Sequence, residues 1–310
     1  MDTVKRDPRK EFGKAVAELA ETDERIVVLS ADSGGSAGFK DFADQHPEKY
    51  YEFGIMEQGI TGIASGLATT GKIPVFCAIA PFVTCRPYEM FRNDLGYMKQ
   101  NVKIVGRNAG FTYSDLGATH HSLEDYAIMR MVPGTVVLAP QDVGEIRSAV
   151  KAMIDYNGPV YMRIGNAAIP DLKKEAAFII GKGEILREGN DLTILSTGSI
   201  TGEVLRAAAL LEDEKISVMV IGLPTVSPID CEIIKYAAEK TGRIMTVEEH
   251  YICGGLGGSV AEVIAQSCPV PLKIHGVPHV YATTGSYEEL LRYYKLDAKG
   301  IAAVAKDFIA

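Results

Sequence analysis

The sequence is short of the features that would place it in several functional classes. Its five cysteines (77, 85, 231, 253 and 268) form no CxxC pair. No histidines stand at zinc-ligand spacing beside them, so the reading is buried free thiols in a reducing compartment, with no disulfide and no metal on this chain. No apolar stretch reaches bilayer length; the longest, Ile73 to Val83, is broken by Pro74 and Pro81. The opening residues, MDTVKRDPRK, have no apolar core after their charges, which predicts no secretory leader. Positive charge is in deficit, with 32 Lys and Arg against 40 Asp and Glu and a net charge of −8. That argues against nucleic acid or an anionic membrane as the main partner. Nothing is read as a nucleophile elbow, and there is no HExxH, Walker loop or GxGxxG. What remains is a 310-residue chain, 47% hydrophobic and 23% charged, expected to be a cytoplasmic globular protein with material for two ordinary domains.

Strand and helix patterns alternate along it. β-rich runs at RIVVLS, IPVFCAIA, VKIVGR, TVVLAP and PVYMRI are separated by amphipathic stretches near 57–70, 86–99, 122–131 and 142–156, after a first helix at about 9–21. Residues 165–190 lose this rhythm and gain charge, glycine and proline. A second series follows, with strands at DLTILS, ISVMVIG, RIMTVEEH and LKIHGV. The expected fold class is α/β in two domains (1–168 and 191–310, with a linker at 169–190), each a mostly parallel sheet covered by helices.

Chemistry concentrates at a few places. YEFGIMEQGITGIASGLATTGKIP (51–74) sets Glu57 at the mouth of an apolar helix flanked by Gly59, Gly62 and Gly66, after a strand suggested by Tyr51, Phe53 and Ile55. Glu57 has two readings: a charge complementing the helix dipole, or a buried carboxylate kept for proton chemistry. Three polar, glycine-bearing loops, SADSGGSAGF (30–39), RNAGFTYSDLGATHHS (107–122) and RIGN (163–166), follow predicted strands. In a parallel sheet they share one edge. Only one of His120 and His121 can point into a cleft there. SLED (122–125) reads as a capping box. Arg163 is either an ordinary strand-end arginine or an anion contact. GGLGGS (254–259) offers backbone N–H groups to an anion or serves turn and packing duty.

FGIMEQGITGIASGLATTGKIPVF, GATHHSLEDYAIMRMVPGTVVLAP and EEHYICGGLGGSVAEV, in this order and at these separations, resemble the C-terminal half of transketolase over essentially the whole chain. The resemblance implies a pyrimidine-binding domain followed by the smaller C-terminal domain. Transketolases hold the diphosphate of thiamin diphosphate (ThDP) and its Mg²⁺ on an N-terminal domain with a G-D-G…N motif, and that motif is missing here. The implied protein is a subunit of a split transketolase. It would be active only with a diphosphate-binding partner, as a dimer of heterodimers acting on sugar phosphates and moving a two-carbon ketol unit from ketose to aldose.

By the same resemblance Glu57 hydrogen-bonds the pyrimidine nitrogen of ThDP and favours the tautomer that takes the thiazolium C2 proton. Phe82 packs on the pyrimidine ring, where Ile79 and Cys85 replace two further aromatics, and Asp32 lies near the thiazolium. Arg9, Ser36 and Arg163 clamp the sugar phosphate, and His120 contacts substrate oxygens. Two positions depart from the family: Asn108 stands where transketolase has a substrate histidine, and Leu116 where it has an aspartate, with Asp115 one position early. These departures imply a ketose donor other than xylulose 5-phosphate. The alternatives are the beta subunit of a 2-oxo acid dehydrogenase's decarboxylating component, 1-deoxyxylulose-5-phosphate synthase, and a catalytically silent assembly subunit. The first usually carries an H-S-Q-S-like loop where this chain has GATHHSLED. The second has its domains in one chain and fits the 107–120 loop less well. Retention of Glu57, His120, Arg9 and Arg163 opposes the third.

Overall fold

A computed structural model describes residues 6–169, 171–172 and 178–310. Six strands of the first half, β1 (Ile26–Ser30), β2 (Tyr50–Glu52), β3 (Ile73–Ile79), β4 (Lys103–Arg107), β5 (Val136–Leu138) and β6 (Val160–Arg163), are all parallel, in the order β5-β6-β4-β3-β1-β2. The second half forms β7 (Glu184–Arg187), β8 (Leu192–Ser196), β9 (Val218–Gly222), β10 (Thr225–Ser227), β11 (Ile244–Tyr251) and β12 (Leu272–Val277). Its sheet runs β12-β11-β8-β9-β7, parallel except for β7. The protein is thus two α/β domains with mostly parallel sheets. The central strands are buried along their whole length, except that Ile79 at the end of β3 is partly exposed, and helices cover both faces of each sheet. Each fully buried aliphatic side chain in these four cores contributes roughly 1.5–3 kcal/mol.

Three local expectations change. The segment 169–190 holds β7, although its residues 170 and 173–177 lie outside the described ones. β10, from the second half, leaves its own sheet and pairs antiparallel with β5, closing the edge of the first. The strand suggested by Tyr51, Phe53 and Ile55 ends at Glu52, and Ile55 is 72% exposed. The cysteines are free, as read, but only Cys77 is buried; Cys85, Cys231 and Cys253 are exposed at helix ends or turns. Among the described residues no helix is long and apolar enough to cross a membrane.

The first sheet has a switch point between β1 and β3. From β1 the chain moves to β2 on one side, then crosses to β3 on the other. The loops leaving β1 and β3 therefore diverge to opposite faces and open a crevice at the carboxyl edge. Phe39 and Phe42, after β1, pack with the helix Pro8–Ala20 on one face. Val83, after β3, packs with the helix Glu57–Thr69 on the other. Asp7 caps the Pro8–Ala20 helix by accepting the Arg9 N–H (2.9 Å), which fixes Arg9 at the start of its first turn.

Buried charges join the two domains. The Asp125 carboxylate, fully buried, accepts from the Tyr161 hydroxyl (2.6 Å) and from Nη1 of Arg163 (3.0 Å). Nη2 of Arg163 donates to the carbonyl of Glu249 on β11 (2.6 Å). The Glu249 carboxylate in turn accepts from the Phe111 N–H (2.5 Å) and the Tyr287 hydroxyl (3.0 Å). Lys103, at the opposite end of β4, donates to the carbonyls of Tyr156 (2.6 Å) and Gly158 (2.9 Å) and pairs with no acid among the described residues, and burial pushes its pKa down to about 7.

Two outcomes follow from these buried groups. Asp125→Ala leaves the Arg163 charge stranded and should lower unfolding free energy by about 3–5 kcal/mol, read from urea midpoints. Between pH 7 and the ordinary lysine value of 10.5 the unfolded chain binds the Lys103 proton and the folded chain does not, so this group makes stability rise with pH across that window. Lys103→Met should remove that part of the rise, seen as a smaller gain in urea midpoint from pH 7 to pH 9 than in the unmutated chain.

Candidate functional site

Glu57 is the first residue of its helix, and it is 6% exposed. No side chain caps this helix start, so the carboxylate lies beside free N–H groups whose dipoles favour its charge. The guanidinium of Arg86 also reaches it, with Nη1 donating to Oε1 at 2.9 Å. Arg86 lies face-on over the Phe82 ring, 3.7 Å from its centroid. His120 meets Phe82 edge-on at 5.2 Å, sits 5.5 Å from the Tyr113 ring, and holds its Nδ1 against the Thr119 hydroxyl (2.9 Å). One continuous wall results: Glu57, Arg86, Phe82, His120. Ile79 ends β3 and turns the chain into the helix Ala80–Thr84 that carries Phe82. Cys85 follows that helix and donates to Glu124 Oε1 (3.4 Å). Desolvation, then the Glu124 charge, push its thiol up to about 11, so it is neutral at physiological pH.

The remaining sequence-derived positions lie elsewhere on the edge. Asp32 is exposed in the loop after β1, in the left-handed region (φ 53°), with its N–H on Glu52 Oε1 (2.7 Å). Ser36 is exposed in the same loop, its hydroxyl on the Ser33 carbonyl (2.9 Å). Arg9 is beside them, since Gly38 of that loop packs against the Arg9 carbonyl where any Cβ would collide at 2.2 Å. Its guanidinium is held by Asp7 (2.9 Å). Asn108 is buried after β4. Arg163, matched by resemblance to a phosphate clamp, has its donors on Asp125 and the Glu249 carbonyl and stacks on Tyr126 at 4.4 Å. Burial opposes its charge, but the Asp125 carboxylate prevails and its pKa is raised. Leu116 is 46% exposed, and Asp115 is exposed next to it.

The two histidines point apart. His121 is 3% exposed and turns to Phe111 at 5.2 Å, with Nε2 on the Ser114 carbonyl (3.1 Å). Burial lowers its pKa. SLED is not a capping box: the helix runs Asp125–Arg130, and the Asp125 carboxylate is taken by Tyr161 and Arg163. The backbone of Ser122 instead pairs with Gly110. GGLGGS does begin a helix, Leu256–Ser267, but the chain brings its own anion to it. Glu248 Oε2 and Oε1 accept from the N–H groups of Leu256 (2.7 Å) and Gly257 (2.8 Å).

A buried carboxylate with one oxygen bonded to Arg86, which itself lies over the Phe82 ring, has the acceptor and the aromatic face that suit the edge and face of a flat nitrogenous ring such as the pyrimidine of ThDP. Sequence reading missed Arg86. The spacing of Phe82 and Arg86, one helical turn apart, was its only signal.

Comparisons with known proteins bear on the family. Residues 5–170 match the transketolase pyrimidine-binding domain, and residues 181–301 the transketolase C-terminal domain. The chain is 41% identical over 303 residues to one of the subunits of the apulose-4-phosphate transketolase of Phocaeicola vulgatus, covering 97% of both proteins. It is 43% identical over 298 residues to a putative transketolase C-terminal section of Methanocaldococcus jannaschii, covering 95% of this chain and 93% of that one. A solved structure described as a split-gene transketolase, inactive beta4 tetramer, superposes with a TM-score of 0.92 at 38% identity over 98% of both chains. The chain belongs to the transketolase family, of which it carries the pyrimidine-binding and C-terminal domains.

Proposed function

We propose that this chain is the pyrimidine-binding subunit of a two-subunit, ThDP-dependent transketolase that moves a two-carbon ketol unit from a ketose phosphate to an aldose. The observation that carries the reading is the wall of Glu57, Arg86, Phe82 and His120 at the switch-point crevice. When bound, ThDP supplies the nucleophilic carbon. Glu57 holds the pyrimidine nitrogen, in a desolvated setting that strengthens that hydrogen bond. Phe82, Ile79 and Cys85 would border the bound ring, and Asp32 would lie towards its thiazolium. Arg86 orients the Glu57 carboxylate through its bond to Oε1. His120, oriented by Thr119, meets the oxygens of the sugar.

The diphosphate and Mg²⁺ belong, in this reading, to a partner subunit, and the working enzyme is a cytoplasmic dimer of heterodimers. The solved structure described as a split-gene transketolase, inactive beta4 tetramer, supports it. The donor is a ketose phosphate other than xylulose 5-phosphate. Asn108 and Leu116 stand where a histidine and an aspartate read the usual sugar, and the Phocaeicola relative is named for apulose 4-phosphate.

Glu57→Gln tests the assignment in the enzyme reconstituted with its partner. The fold should persist, and turnover should fall about 10²-fold or more; near-normal turnover would sink it. Arg86→Met should also slow turnover and lower stability by about 1–3 kcal/mol, because Arg86 is 48% exposed but the Glu57 carboxylate it leaves unpaired is only 7% exposed. Initial rates across a panel of ketose phosphates should not peak at xylulose 5-phosphate; a clear preference for it contradicts the donor assignment.

A further inference from the structure

Arg107 has no part in the wall described above, and its surroundings are unusual for a buried cation. It ends β4, it is 3% exposed, and among the described residues it makes no ion pair. Its Nη1 donates to Oδ1 of Asn108 (2.5 Å), and its Nε is buried without a partner. Asn108 is 1% exposed and sits in the left-handed region (φ 56°). With its oxygen committed to Arg107, its Nδ2 is also buried without a partner. Two adjacent residues thus present buried donors lacking acceptors beside a positive charge lacking a counter-charge. Burying such groups is costly unless an anionic acceptor completes them. Arg163 shows the contrast, since Asp125 and a carbonyl satisfy it from within the chain.

The two arginines also face opposite ways. Gly106 is in register with Arg163, and side chains alternate along a strand, so Arg107 points to the other face of the sheet, the one covered by the helix Pro8–Ala20. Arg9 begins that helix. The charges of Arg9 and Arg107 both act on the buried Cys77 thiol; burial raises it, to about 12, and the two guanidiniums pull against that rise. Ser33 of the loop after β1 bonds the Cys77 carbonyl (3.4 Å). Arg107 therefore belongs to the side of the crevice that carries Arg9 and Ser36.

We propose that Arg107, held in place by Asn108, binds the terminal phosphate of the ketose phosphate together with Arg9, in the role that resemblance gave to Arg163. A guanidinium fork beside an amide N–H₂ group matches a phosphate monoester, which offers acceptors only and carries the missing charge. This inference rests on the ketose-transfer reading for the identity of the ligand, but the anion site can be tested apart from it.

Two measurements separate the ideas. Inorganic phosphate is titrated into the full chain while the Arg107 Nε–H resonance is followed by ¹⁵N–¹H NMR, the resonance being assigned by its loss in Arg107→Met. A saturable shift in the unmutated chain, needing more phosphate to saturate in Arg9→Lys, where the Arg107 resonance is retained, supports the site. No shift up to ~0.1 M phosphate, or only the unsaturated drift of general salt screening, overturns it. In the reconstituted enzyme, Arg107→Met should raise KM for the phosphorylated donor about 30-fold or more and collapse the KM ratio between that donor and the same ketose without its phosphate. A ratio unchanged by the substitution overturns the proposal, even if both rates fall. If the unmutated enzyme binds phosphate at Arg107 but turns over no ketose, the ketose-transfer reading fails and the anion site stands.

Discussion

The fully buried Asp125 carboxylate, shared between Tyr161 and Arg163, is the constraint on which the rest of the molecule leans. Arg163 is neutralised by it and is thereby free to hold the carbonyl of Glu249 on the second sheet, while Glu249 takes the Phe111 N–H and the Tyr287 hydroxyl. One chain of bonds therefore connects β6, the loop that carries His120, β11 and the C-terminal domain. The loop from Arg107 to Asp125 is fixed at both ends, by β4 and by this junction, and that places His120 against Phe82. A buried network of this kind is sensitive to the loss of any member, because each lost partner strands a charge or donor in a dry interior.

Charge is handled differently on the two faces of the first sheet. On the face with Phe82, the carboxylates and guanidiniums near the edge find partners inside the chain: Glu57 with Arg86, and Asp125 with Arg163. Where the second domain could have offered an anion site, at the start of the helix Leu256–Ser267, Glu248 fills it. On the opposite face Arg107 has no counter-charge among the described residues. The fold therefore separates a wall in which Glu57 and Arg86 neutralise each other from a positive corner at Arg107. That division suits a substrate whose reacting carbonyl and terminal phosphate lie at opposite ends.

Much of the fold was legible because parallel strands buried on both faces read as unbroken apolar runs. RIVVLS, VKIVGR and PVYMRI contain strands buried at every residue. The short pieces were not. β10 is three residues long and pairs across the domain boundary, and β7 hides in a charged, glycine-bearing stretch that composition alone reads as linker. At the site, Glu57 stood out as the one acid in an apolar helix. The other side chains depend on distances the sequence does not carry. Asp125 sits where a capping residue would, but Arg163, 38 residues on, claims it. Whether Arg163 or Arg107 lacks a counter-charge is set by which face of the sheet each points to, and a one-residue difference in strand position decides that.

The central claim is that this chain supplies half of a ThDP site whose other half is on a different subunit. Its most direct test is aldehyde release from a ketose phosphate, with ThDP and Mg²⁺ present, by this chain alone, by a subunit carrying the G-D-G…N diphosphate motif alone, and by the two mixed. The account predicts turnover only in the mixture, saturating at one of each subunit. Comparable turnover by this chain without the partner would contradict it.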